Sequence, residues 1–207
     1  MKRINIALML IFLMPCIIVN AQKGSLKLNL DYTYAIPSGS LKNDIVSDAS
    51  PRGFNGELMY QKNNQWGAGL LIGYQDFYQK YPRALYKTGE GETTSAVLSN
   101  SVQIMPILAK GQYNFSSKKS AAIQPYVSVG AGLGLINFTQ FLGEFGGADN
   151  TAGFMVQAGA GIAVPFNKTG KSGFRAGGDY NFVTYNKSEF GNLGNIAFKA
   201  GVYFTLE

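Results

Sequence analysis

The chain has 207 residues, 26 of them glycine, with 14 Phe and 12 Tyr, and only 14% of its residues are charged. That length suits one domain with a sizeable core or one closed barrel, and the lack of charge blocks and low-complexity repeats excludes a disordered chain. The formal charge of +6 comes from scattered bases, with no basic stripe, zinc spacing or nucleic-acid motif, so nucleic acid is excluded as a partner.

The first element is an export signal. Lys2 and Arg3 precede the apolar run "IALMLIFLMPCIIV", which ends at "NAQ", with the small residues Val19 and Ala21 placed before Gln22. Residues 1–21 are expected to be a cleaved secretory signal peptide and residues 22–207 one barrel domain. A retained membrane anchor is the alternative, but the run is short and polar residues follow at once. Cys16, the one cysteine, lies inside this segment, and Pro15 before it fits a lipoprotein cleavage site poorly. The mature chain then offers no disulfide or thiol chemistry. It keeps 16 bases against 12 acids.

Eight alternating segments follow, and no apolar run is long enough for a transmembrane helix. In "LKLNLDYTYAIP", Leu26, Leu28, Leu30, Tyr32, Tyr34 and Ile36 share one face; Lys27, Asn29, Asp31, Thr33 and Ala35 share the other. A period of two over that length means a strand between two different surroundings. "FNGELMYQK" sets Phe54, Leu58 and Tyr60 against Asn55, Glu57 and Gln61. "WGAGLLIGYQ" sets Trp66, Ala68, Leu70, Ile72 and Tyr74 against Gly67, Gly69, Leu71, Gly73 and Gln75. In "SNSVQIMPILAKGQYNF" the apolar set changes parity at Pro106, from Val102 and Ile104 to Ile107, Ala109, Tyr113 and Phe115, which predicts a bulge. "IQPYVSVGAGLGLIN", "FMVQAGAGIAVPF", "FRAGGDYNFVTY" and "NIAFKAGVYFTL" complete the set. Short polar turns at 62–65, 116–120 and 167–172 interleave with long connections at 37–52, 80–93, 139–151 and 186–191. That is the pattern of an all-β, eight-stranded antiparallel up-and-down transmembrane β-barrel with both termini on one side.

A soluble lipocalin-like barrel would alternate in the same way with the opposite polarity. Three features favour the membrane. Aromatics on the apolar face gather at strand ends: Tyr60, Trp66, Tyr113, Phe115, Phe166, Phe174 and Phe204 at the end of the termini, and Tyr32, Tyr34, Tyr74, Phe182 and Phe198 at the other. The polar face is rich in glycine and serine, which suits a narrow lumen better than a solvated strand. An export signal followed by sparse charge fits envelope delivery.

The lumen is therefore expected to carry Tyr126, Ser128, Gly130, Gly132 and Gly134, with Gly67, Gly69, Gly73, Gly159 and Gly161. Its charged residues are Lys27, Asp31, Glu57, Lys110, Arg175, Asp179 and Lys199. Most fall on strands that become neighbours when the barrel closes, so long charged side chains are expected to cross from one wall toward a glycine wall. Buried charges need partners, and Lys199 is expected between Asp179 and Asp31. This network is either a polar path for ions or a filler that locks the strands; the narrowness of an eight-stranded lumen favours filler.

At "MPILAKGQYNF" (105–115), "PYVSVGAGLGL" (125–135), "VQAGAGIAVPF" (156–166) and the closing "AFKAGVYFTL", the sequence resembles small outer-membrane β-barrels of the OmpA/OmpX kind. More narrowly, it resembles the eight-stranded outer membrane protein β-barrel domain family. The resemblance spans the mature chain and implies residence in the cell outer membrane. Many members end in an aromatic residue; this chain ends "YFTLE", with Phe204 nearest. A following peptidoglycan-binding domain is not expected, so wall tethering is not carried over from the resemblance.

"GAGLG" lacks the spacing of a dinucleotide loop. Without histidine there is no serine–histidine base, and metal sites built on histidine or cysteine are excluded. The acids Asp44, Asp48, Glu90, Glu92, Glu144 and Asp149 have no calcium-loop spacing. The expectation is a monomeric, non-enzymatic barrel with no cofactor, in contact with outer-membrane lipid. Its long loops, through Tyr81, Tyr86, Phe141 and Phe145, serve a structural, adhesive or surface-recognition role toward an extracellular protein or glycan. A narrow pore or a transport barrel for a small apolar ligand is the alternative, and a lipid-modifying enzyme a third reading.

Overall fold

The computed structural model describes residues 24–87, 93–117, 121–185 and 191–206; the expected signal segment, Glu90, Glu92 and Glu207 lie outside these. The strands are β1 (Ser25–Gly39), β2 (Ser50–Gln61), β3 (Trp66–Lys80), β4 (Ala84–Lys87), β5 (Thr93–Ala96), β6 (Leu98–Asn114), β7 (Gln124–Leu142), β8 (Phe145–Pro165), β9 (Ser172–Val183) and β10 (Leu193–Leu206). Eight of them close a barrel in the order β1-β10-β9-β8-β7-β6-β3-β2, all neighbours antiparallel, while β4 and β5 form a separate hairpin. Closure removes the sheet edges that lipid cannot hydrogen-bond.

Alternation places the side chains as an inside-out protein requires. Leu30, Tyr32, Phe54, Leu58, Leu70, Ile72, Val129 and Leu133 are exposed on the outer wall, whereas Asn29, Asp31, Asn55, Glu57 and Lys110 are buried in the lumen. Trp66, Tyr113 and Phe115 form an aromatic cluster at the end of the short turns, with ring centroids 4.8 and 5.3 Å apart. Phe54 and Tyr74 stack at 5.9 Å toward the other end. Two aromatic girdles of this kind bracket a membrane-spanning band, and short turns face the periplasm in such barrels.

Three expectations are corrected. Pro106 makes no bulge: β6 keeps one register against β7 from Leu98↔Leu142 to Asn114↔Tyr126. Val102 and Ile104 point inward, in phase with Pro106, Leu108 and Lys110. The irregularity lies instead between Thr33 and Ala35, where β1 meets the start of β2. The stretch 139–151 is not a loop, because β7 and β8 pair continuously up to Leu142↔Phe145. Gly143 there takes φ 64°, the left-handed conformation that a two-residue hairpin turn with glycine first demands. Finally, the lumen is not polar throughout, since its extracellular end holds an apolar core.

Candidate functional site

The lumen is filled in layers. At the periplasmic mouth an open polar vestibule of about 140 Å³ is lined by Lys27, Gln61, Asn64, Asn114, Gln124 and Lys171 among others. Lys27 is half-buried and lies 3.6 Å from the centre of the Tyr203 ring, a cation–π contact below the main ionic cluster.

Above it the other six predicted charges meet. Glu57, fully buried on β2, accepts from Lys110 Nζ at 2.8 Å and from Arg175 Nη1 at 2.7 Å, and Lys199 Nζ stands 3.8 Å away. Asn29 Nδ2 donates to the same carboxylate at 3.0 Å. Lys199 Nζ lies 2.7 Å from Asp179 Oδ2. Asp31 pairs with Arg175 Nε at 3.5 Å. Lys199 thus bridges Asp179 on the neighbouring strand and Glu57 two strands away on the same wall, rather than Asp179 and Asp31, whose carboxylate faces Arg175 instead. Three cations face three anions, the balance that makes buried charge tolerable.

The walls differ in part from the expected split. Asp31, Glu57, Arg175, Asp179 and Lys199 come from the four consecutive strands β2, β1, β10 and β9, while Lys110 reaches in from β6 on the far side. The glycines act as individual seats. A Cβ at Gly130 would lie 3.2 Å from Lys110 Cγ, one at Gly201 2.5 Å from Asp31 Oδ1, and one at Gly73 2.0 Å from Asn55 Oδ1. Each of those glycines is the direct cross-strand partner of the residue it seats.

Sequence reasoning placed Tyr126 in the lumen without a role. Its hydroxyl accepts from Arg175 Nη2 at 3.1 Å, and its ring lies 5.1 Å from the guanidinium. Above the charges, Thr33 bonds Gln75 at 3.0 Å, and Gln157, Asn181 and Asn195 form a chain with steps of 2.8 and 2.9 Å. The remaining space at that level is about 20 Å³, room for one or two waters.

The extracellular end is closed by apolar side chains. A π-helical turn, Leu41–Ile45, folds into the mouth and buries Leu41, Ile45 and the following Val46 against Phe77, Val102, Ile104, Met155, Val183 and Leu193. Its last carbonyl is held from outside the turn: Ile45 O accepts from Asn100 Nδ2 on β6 at 2.8 Å and from the Tyr81 hydroxyl at 3.1 Å. Nothing in the alternation marks this plug, because it comes from a connection.

The four predicted contact residues divide. Tyr81 is half-buried and tied to the plug; burial, and then the Asp48 carboxylate, push its phenol above the ordinary value. Tyr86 is half-buried on β4, opposite Thr94. Phe141 lies over its cross-strand partner Gly146, whose Cβ would fall 2.4 Å from Phe141 Cδ1. Phe145, at the hairpin tip, is 77% exposed. β8 pairs with β9 only from Met155↔Val183 downward, so the β7–β8 hairpin rises well above that side of the barrel. Among the described residues no group of three or more metal-ligating side chains occurs.

This closed barrel with lipid-facing girdles is an integral outer-membrane architecture. The chain matches the outer membrane protein beta-barrel domain family over residues 6–205 and belongs to that family. Among solved structures its fold is similar to Neisserial surface protein A, at 18% identity and a TM-score of 0.53, covering 89% of this chain and 100% of that one. It is also similar to the outer membrane protein OprG from Pseudomonas aeruginosa, at 11% identity and a TM-score of 0.51, covering 89% of this chain and 96% of that one. No curated protein matches the chain.

Proposed function

We propose that this protein is a non-enzymatic outer-membrane barrel whose filled lumen keeps it rigid and whose raised sheet recognises a protein or glycan outside the cell. One observation carries the reading. The lumen is stacked with paired charges and then closed by the Leu41–Ile45 turn, while β7 and β8 lift Phe141 and Phe145 above the rim. A blocked interior leaves the exterior as the working surface. The chain has no histidine, which removes the usual base for acyl or peptide cleavage. In this reading residues 1–21 are removed on export and the barrel acts as a monomer.

The test uses the barrel in lipid nanodiscs on a glycan array and on an array of extracellular proteins, beside the double variant Phe141→Ser/Phe145→Ser. Retention of the parent and loss with the variant, both still shifting on unboiled gels, is the expected result. Equal retention of both, or retention of neither, contradicts it.

A further inference from the structure

Strands β1, β2 and β3 present a block of outward side chains three wide and three high. Register places Leu28, Leu58 and Leu70 in one row, Leu30, Gly56 and Ile72 in the next, and Tyr32, Phe54 and Tyr74 above them. Every position but the centre carries a large apolar side chain. A Cβ at Gly56 would meet only Ile72 O at 3.8 Å and Leu30 Cδ2 at 3.9 Å. The centre is a notch of about 510 Å³ open to the bilayer, walled by Leu30, Tyr32, Phe54 and Ile72. The lumen glycines seat specific inward side chains; Gly56 faces the other way and seats none of them.

Four residues up β2, about 13 Å along the strand, Arg52 points outward on the same face. Its side chain is 54% exposed, with Nη1 3.2 Å from Asp76 Oδ2 and the guanidinium 5.5 Å from the Tyr78 ring. Asp76 occupies one edge of the guanidinium and leaves further N–H donors toward the headgroup zone. A half-exposed guanidinium above the upper girdle, with an apolar slot one row below that girdle, repeats the order of head and tail in one kind of molecule. That molecule is a lipid with a phosphate at its head and an acyl chain beneath.

We propose that this column of the outer wall is a specific lipid site. The phosphate of an outer-leaflet lipid A sits on Arg52, and one acyl chain runs past Phe54 and fills the Gly56 notch. Charge-assisted bonds from guanidinium to phosphate are among the strongest polar contacts, and each methylene seated in the notch adds apolar burial. A second copy of the barrel fits less well. Gly56 is a single gap ringed by Leu, Ile, Phe and Tyr, which hold another wall away from it but admit a thin flexible chain.

Native mass spectrometry of the full barrel released from detergent micelles, with added lipid A or phosphatidylglycerol, tests the site. The unaltered protein is expected to retain one lipid A in preference to phosphatidylglycerol. Gly56→Leu, which fills the notch, and Arg52→Gln, which removes the cation, are each expected to lower retention roughly tenfold. Gly111→Leu is the control. Gly111 is an outward glycine on β6 with Ile107, not a base, four residues up the strand, and its variant is expected to retain lipid A unchanged. Heat-modifiability establishes that every variant is folded. Unchanged retention in Gly56→Leu or in Arg52→Gln, equal retention of phosphatidylglycerol, or a dimer in place of the bound lipid overturns the proposal.

Discussion

Asp179 lies directly across the β8–β9 ladder from Gly159, and a Cβ on Gly159 would fall 1.8 Å from Asp179 Oδ1. The carboxylate lies over the bare backbone of its partner and from there reaches Lys199. Tyr126 stands in the same relation to Gly161, with its hydroxyl 2.5 Å from the Cβ position. Glycine is therefore the counterpart of the long lumen side chains: it supplies the space in which they lie flat.

Gly159→Ala should unseat Asp179 and strain the contact with the Gly178 carbonyl, 2.8 Å from the new Cβ. The expected loss is about 1–3 kcal/mol, the usual cost of overpacking a filled interior. Gly56→Ala, where the Cβ has room, is expected to be neutral within about 0.5 kcal/mol. Urea titration of the two variants in lipid vesicles, followed by tryptophan fluorescence and band shift, makes the comparison.

Glu57 is the anion that three cations share. Glu57→Gln leaves Lys110, Arg175 and Lys199 facing Asp31 and Asp179 alone, and should cost about 3–5 kcal/mol. Adding Lys110→Met to Glu57→Gln removes one of the stranded cations and should recover part of that loss. A double-mutant cycle on unfolding free energies measures the coupling; simple additivity of the two single effects would refute the shared-anion arrangement.

Ile45 in the plug and Phe77 on the wall it packs against are fully or almost fully enclosed. Truncating either to alanine should cost about 2–5 kcal/mol through lost burial and the cavity left behind. Thermal unfolding monitored by gel shift reads the effect. A neutral result for both would mean that the Leu41–Ile45 turn does not sit in the mouth.

Leu133 points into lipid from β7, with 53% of its surface exposed. Leu133→Arg should destabilise the barrel by about 2–4 kcal/mol when it lies near the bilayer midplane. Ser101→Arg, above the girdle on the outer face of β6, should cost far less. Reversal of that order would place the membrane elsewhere on the wall.

The alternation of β1, β2 and β3 was legible because one face meets lipid and the other a narrow polar interior. Leu30 and Asp31 are separable by hydropathy alone. The charged partners were legible as a set, since buried charge must be matched, but not as pairs. Whether Lys199 meets Asp31 on the next strand or Glu57 one strand further depends on which carboxylate Arg175 takes once the barrel has closed. The apolar upper lumen was misread at Val102 and Ile104, because an apolar residue inside a plugged mouth and one facing lipid look identical in sequence. The two-residue turn at Gly143–Glu144 was present in the letters, yet the exposed, mixed composition around it read as loop. The Leu41–Ile45 plug left no periodic trace at all.

The barrel is sealed by ion pairs in its middle and by Leu41, Ile45 and Val46 at its mouth. Planar-bilayer recording on the purified, folded protein tests this most directly. A baseline without discrete conductance steps is the predicted result. Stable open channels in the unaltered protein would contradict it.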